Sequence, residues 1–150
     1  MDYWLYVTNS ANWRVTRETN ILGASERHRN ALSRMTTGDK CLVYVKSEVS
    51  NGDVKEPQIV GEYEVASNLF EDNKRIFQTP TYLPSEVFRF RIKLKRLKVL
   101  EKPTNFKPLV PELTFIKNKK RWALSIRGRA VVRIPKHDYE LILSRTKRDA

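Results

Sequence analysis

Between Glu86 and Leu100 the side chains alternate so strictly that few structures can accommodate them. Phe88, Phe90, Ile92 and Leu94 alternate with Arg89, Arg91, Lys93 and Lys95, so a period-two strand turns its apolar groups to a core and its cations away from it. Beyond Lys95 the parity slips. Leu97 and Val99 are now the apolar positions and Arg96 and Lys98 the charged ones, as one extra residue in a ladder would make them. The sequence therefore predicts a bulge near Lys95 and Arg96. A long, bent strand with one buried face is what a small closed or nearly closed barrel needs.

The other elements should curl around it. Aromatic and β-branched residues predict a first strand from Tyr3 to Thr8. Ser10 can cap a short helix through Arg17, placing Asn12 and Trp13 on its first turn. After Ser25, the spacing of His28, Ala31, Leu32 and Met35 predicts an amphipathic helix that ends before Gly38 and Asp39. Lys40–Lys46 and Gln58–Ala66 read as a hairpin whose long loop turns at Ser50, Asn51 and Gly52. Residues Ser67–Ser85 show no period, yet carry Phe70, Phe77 and Tyr82, rings that either plug the core or face a ligand. Leu109, Leu113 and Ile116 support a short helix, Trp122–Ile126 and Ala130–Ile134 two late strands, and Pro135 opens a terminal helix that frays after Arg145.

At 150 residues the chain has the size of one domain, residues 1–150, with one core. Lys and Arg number 29 against 17 Asp and Glu, a formal charge of +12, and such an excess attracts polyanions. Nucleic acid is the first partner to consider. The one cysteine, Cys41, excludes an internal disulfide and a multi-cysteine metal site, and on its alternating strand it reads as an inert buried thiol. No apolar run approaches the roughly 18 residues of a membrane span, and a cytoplasmic, monomeric protein is expected. His28 and His137 stand in no zinc or triad spacing, and the five glycines are scattered singly, so no phosphate-cradling loop forms. No metal, cofactor or catalytic residue is expected. Basic residues interleaved with aromatics point to binding instead, because rings stack on bases while cations hold phosphates.

Three stretches then take on a combined meaning: YWLYVTNSANW at 3–13, RHRNALSRMTTGDKCLVYVKS at 27–47 and QIVGEYEVAS at 58–67. With WALSI at 122–126 and the closing helix, they resemble the EVE domain, a relative of YTH in the PUA-like superfamily. The resemblance implies an α+β fold, a PUA-like curved β-barrel of about five or six strands flanked by short helices. It also implies a pocket for a flipped-out, often methylated base of DNA or RNA. In that pocket Thr8, Asn9, Asn12 and Trp13 would form one wall, and Leu22 and Gly23 fall where YTH relatives have a cage tryptophan. Arg29 and Asn30 match an Arg-Asn pair of the family, and Phe77 or Tyr82 occupies the loop that supplies a second ring. Tyr44 is kept, with Val45 and Lys46 where many bacterial relatives have His and Ser. Trp122, Ser125 and Arg127 correspond to a late strand that closes the site.

A base leaving its stack costs a few kcal/mol, which stacking on Trp13 and hydrogen bonds to the base edge would return. The alternative for Trp13 is a ring plugging the barrel end. Arg89, Arg91, Lys93, Lys117, Lys119, Lys120 and Arg121 are expected to hold phosphates. Two rival readings are an accessory domain that reads the shape of transfer or ribosomal RNA, and a small basic ribonuclease using His28, His137, Glu18 or Glu26 as general base.

Overall fold

A computed structural model describes the backbone of residues 1–149, with side chains through Lys147. Its strands are β1 (Tyr3–Thr8), β2 (Ile21–Ala24), β3 (Lys40–Val45), β4 (Glu48–Ser50), β5 (Asp53–Lys55), β6 (Gln58–Val65), β7 (Phe70–Glu71), β8 (Phe90–Asn105) and β9 (Val131–Ile134). The helices are α1 (Ser10–Thr19), α2 (Arg29–Ser33) and α3 (Lys136–Asp149). Among the described residues six strands lie side by side in the order β2-β8-β6-β3-β1-β9, with the two-residue β7 added to β8. Only β1 and β3 pair in parallel. The sheet curls but its ends, β2 and β9, do not pair, so the expected barrel is a half-barrel with an open side.

Both faces of this sheet are covered, which explains why its central strands read as continuous apolar runs rather than alternating ones. Trp4, Tyr6, Cys41, Val43, Val45, Tyr63, Phe90, Ile92 and Val131 build one core layer. Leu5, Leu42, Tyr44, Ile59, Val132 and Ile134 face the other way, against Phe106, Leu109, Leu113 and the Tyr139 and Ile142 side of α3. Asp39 fastens the start of β1. Its carboxylate accepts from Asp2 N and Trp4 Nε1 at 3.0 Å and from Thr36 N at 3.0 Å.

The long strand is present, bent as its parity slip predicts. Glu62 pairs with Lys98 and Tyr63 with Arg96, leaving Leu97 as the extra residue, 39% exposed. The strand starts four residues later than the alternation implies. The Glu86 carboxylate accepts from Val87 N and Phe88 N, and Phe88 has φ +53°, so the chain turns there before it extends. Arg91 breaks the inside-outside pattern and is only 1% exposed. Its guanidinium donates to the carbonyls of Phe88, Val87 and Lys74, lies 3.6 Å from Asp72 and sits 5.4 Å over the Phe77 ring. It holds the loop 74–88 together, with its guanidinium turned inward instead of toward solvent as the alternation predicts.

Other departures have local causes. β2 is too short to show a period, but it follows directly from the left-handed cap Asn20 of α1 (φ 59°) and pairs with β8 from Ile21 to Ala24. β4 and β5 form a separate hairpin inside the β3–β6 connection, closed by Asn51 and Gly52 with φ 52° and 82°, the pair of positive angles that a two-residue turn requires. The helix expected from Ser25 is a 3-10 turn, Glu26–His28, followed by the five residues of α2. Trp122–Ser125 is a 3-10 turn instead of a strand, since β9 already occupies the free edge of β1. α3 continues to Asp149 with Thr146 buried, past the point where fraying is expected, while Ala150 lies outside the described residues.

Candidate functional site

The parallel pairing of β1 and β3 brings their C-terminal ends to one rim of the half-barrel, beside the end of β2 and the first turn of α1. A cleft of ≈ 1010 Å³ opens there. The loop 78–88 and the segment 122–130 form its outer walls. The two ends of the sheet approach each other at this rim, where Arg27 Nη2 donates to Gly128 O at 2.8 Å.

Of the expected pocket residues, Thr8, Asn9, Asn12, Gly23, Tyr82, Trp122 and Arg127 line this cleft. Trp13 does not. On a helix, Asn9 and Asn12 share a side while Trp13 turns about 100° away. Its indole is 9% exposed, packs edge-on to Tyr63 at 6.1 Å and 82°, and belongs to the core. The stacking platform expected there is therefore absent. Leu22 is fully buried beneath the sheet. Phe77 is buried behind Gly23, so closely that a Cβ on that glycine would lie 2.4 Å from Phe77 Cε2. Arg29 and Asn30 are exposed away from the cleft, with the Arg29 guanidinium 5.7 Å over Phe90. Ser125 is half-buried and does not reach it.

The polar residues that do line the cleft have prior engagements. Asn9 Oδ1 caps α1 by accepting from Asn12 N at 2.8 Å. The Asn12 carboxamide pairs with the backbone of Gln78 twice, accepting from its N–H at 2.7 Å and donating to its carbonyl at 2.9 Å. Asn12 thus clips the loop 78–88 to α1 and is not free to read a base edge. Gly23 is bare because Phe77 fills the space a side chain would take, and Phe77 in turn positions Gln78.

What remains available is three rings and a set of cations, the third ring being Phe88, half-buried and 6.2 Å from Phe77. Tyr82 is 80% exposed on the loop, and Trp122 is half-buried with its ring 5.7 Å from Phe106. Arg27, Lys46, Lys107, Arg127 and Arg129 line the cleft together with Glu26, Glu56 and Glu86. Lys107 is taken by Glu56 at 2.6 Å. Lys46, Arg127 and Arg129 have no ion-pair partner among the described residues. His28 also lines the cleft, and burial, reinforced by Arg27, lowers its pKa. Burial pushes the Tyr44 phenol up to about 12. Lys46 and His28 were not marked as binding residues by the sequence, although both lie in the stretch 27–47 that carries the resemblance.

The expected phosphate ligands are divided. Arg89 lies 3.7 Å from both Glu26 and Glu71. Lys93 is exposed, 5.8 Å over Phe70 and off the cleft. Lys119 donates to the carbonyls of Val110 and Leu113 at 3.1 and 2.5 Å, a structural use. Lys117, Lys120 and Arg121 are exposed just ahead of Trp122. Among the described residues no group of three or more His, Cys, Asp and Glu is placed to hold a metal ion, and no helix is long and apolar enough to cross a membrane.

Comparison with known proteins sets this geometry in context. The model of the EVE domain matches residues 2–145. A UPF0310 protein of Pyrococcus abyssi is 45% identical over 144 residues, which cover 96% of this chain and 99% of that protein. The structure of human THYN1 protein in complex with 5-methylcytosine containing DNA superposes with a TM-score of 0.67 at 14% identity, covering the whole of both chains. The MmI1 YTH domain superposes with a TM-score of 0.63 at 9% identity, over 96% of this chain and 93% of its own. At these identities the structural likenesses are of fold.

Proposed function

Because this chain belongs to the EVE domain family, we propose that it binds nucleic acid and holds one unstacked, modified base in the cleft between Tyr82 and Trp122. Lys46, Arg127 and Arg129 hold the phosphates on either side. The observation that carries this reading is the cleft's composition: the exposed ring of Tyr82, the half-buried rings of Trp122 and Phe88, and three cations with no ion pair among the described residues gather at one rim. A base needs a stacking surface and its phosphates need charge, and this rim offers both. That human THYN1 protein, of the same fold, is known in complex with 5-methylcytosine containing DNA supports a modified base as the occupant.

Burying one methyl group contributes roughly 0.8 kcal/mol, so the preference for a modified base is about fourfold unless the methyl fills an otherwise empty gap. Titration of short oligonucleotides with and without one methylated base tests the reading. The Tyr82→Ala and Trp122→Ala variants should each lose about 1 to 3 kcal/mol of binding. Equal affinities for both oligonucleotides, unchanged in both variants, would defeat the base-pocket reading. The protein acts in this reading by binding without turnover, and incubation with labelled RNA should leave the RNA intact.

A further inference from the structure

A second concavity, ≈ 230 Å³, lies on the other side of α1. It is lined by Ser10, Trp13, Arg14 and Arg17 from the helix, and by Val45, Lys55, Gln58, Val60 and Pro103 from the strands. The helical contribution is a single stripe at i, i+3, i+4 and i+7. The segment 54–58 is shared between the two concavities: Val54, Glu56 and Pro57 line the cleft, Lys55 and Gln58 the groove. Cleft and groove are thus the two sides of one ridge, made by the first turns of α1 and the segment 54–58.

The groove is cationic. No carboxylate lines it, and Arg14, Arg17 and Lys55 make no ion pair among the described residues. Arg14, Arg17 and Lys55 are all exposed. Glu48, the ladder partner of Lys55, stands at the groove's edge with its carboxylate accepting from Ser10 N at 2.7 Å and Ser10 Oγ at 3.0 Å, so the cations outnumber the one carboxylate beside them. A fourth cation joins from β8, where the Arg96 guanidinium donates to the Arg17 carbonyl. Arg17 lies 6.0 Å over the Trp13 ring, which forms the apolar floor. Three exposed cations above an apolar floor recognise a chain of phosphates better than any neutral or basic partner.

We propose that this groove is a second nucleic-acid contact, a seat for backbone phosphates of the strand whose base enters the cleft. It rests on the proposed function, since it is the ridge between the two concavities that makes one strand able to use both. The cleft then selects and the groove anchors.

The test compares wild type with Arg14→Ala/Arg17→Ala/Lys55→Ala in fluorescence anisotropy titrations of a short single-stranded oligonucleotide, with and without one methylated base, over a range of salt. A Lys136→Ala/Arg133→Ala/Lys147→Ala variant removes the same charge from β9 and α3. Each lost phosphate contact lowers the slope of log affinity against log salt by about 0.7, so the groove variant should lose roughly 2 from that slope while the control keeps it. Affinity at low salt should fall about ten- to a hundredfold, with the ratio between methylated and plain oligonucleotide unchanged. Arg14→Lys/Arg17→Lys, which conserves charge, should keep the wild-type slope. Equal slopes for the groove variant and wild type, or equal losses in groove and control variants, would overturn the groove. In that case a loss of affinity in Tyr82→Ala would leave the cleft reading standing. Absence of any oligonucleotide binding by wild type would overturn both.

Discussion

At the scale of single residues, the side chains around the cleft divide into those that build it and those that can meet a ligand. Asn12 is a builder. Asn12→Ala leaves the Gln78 N–H and carbonyl without partners, at a cost of about 1 to 3 kcal/mol. The expected result is a melting temperature lower by roughly 2 to 4 °C per kcal/mol, and faster hydrogen exchange of the Gln78 amide. Gly23→Ala drives its methyl into Phe77, and overpacking of this kind costs about 1 to 3 kcal/mol. Denaturant unfolding would register it without any nucleic acid present. Arg91→Leu should destabilise by about 2 to 4 kcal/mol, because buried carbonyls lose their donor, yet leave the salt dependence of oligonucleotide binding unchanged. A reduced salt slope in that variant would show Arg91 meeting phosphate after all. Alternation in the sequence could not reveal this, because an arginine that turns back to cap three carbonyls has the same spacing as one that faces water. Trp13 differs from its sequence expectation for a similar reason: Asn9 and Asn12 line the cleft, but the next helical position turns into the core.

At the scale of elements, legibility followed length. β1, β3, β6 and β8 carry enough residues for a pattern, and their places were readable, including the slip that becomes the bulge at Leu97. β2, the β4–β5 hairpin and the 3-10 turn at Trp122–Ser125 are three or four residues per segment, too few to show a period, and are fixed by their neighbours. The junction before β3 shows how such neighbours act. Burial pushes the Asp39 carboxyl up, but hydrogen bonds from Asp2, Thr36 and Trp4 outweigh it and hold the group below its usual value. A carboxylate with a folded pKa below its unfolded value, about 3.9, contributes stability that is present above that pH and is lost as pH falls through the folded value. Asp39→Asn should therefore be less stable than wild type near neutrality, and the gap should narrow as pH falls below about 4. Urea unfolding at several pH values checks this, and a gap independent of pH would remove the ionised carboxylate from the account.

At the scale of the whole molecule, charge and shape act together. A formal charge of +12 favours a polyanion as partner, and under the proposed function the rim of the half-barrel decides which part of it is held. His28 reports on that rim. Its pKa is lowered by burial and by Arg27, and a phosphate entering the cleft favours the protonated ring. The midpoint of its titration should rise on oligonucleotide binding, with affinity increasing as pH falls through the window between the free and bound values. With two histidines in the chain, proton NMR resolves the His28 signal and reads the shift directly.

The placement of β1 between β3 and β9 has a consequence for how the protein is made. β1 lies between one neighbour from residues 40–45 and another from residues 131–134, with Tyr3 against Tyr139. During translation the edge of β1 that β9 covers waits, unpaired, until residues 131–134 have been made. A nascent chain arrested before Val131 would expose that edge to chaperones and to other nascent copies, whereas one extended past Ile134 covers it with β9.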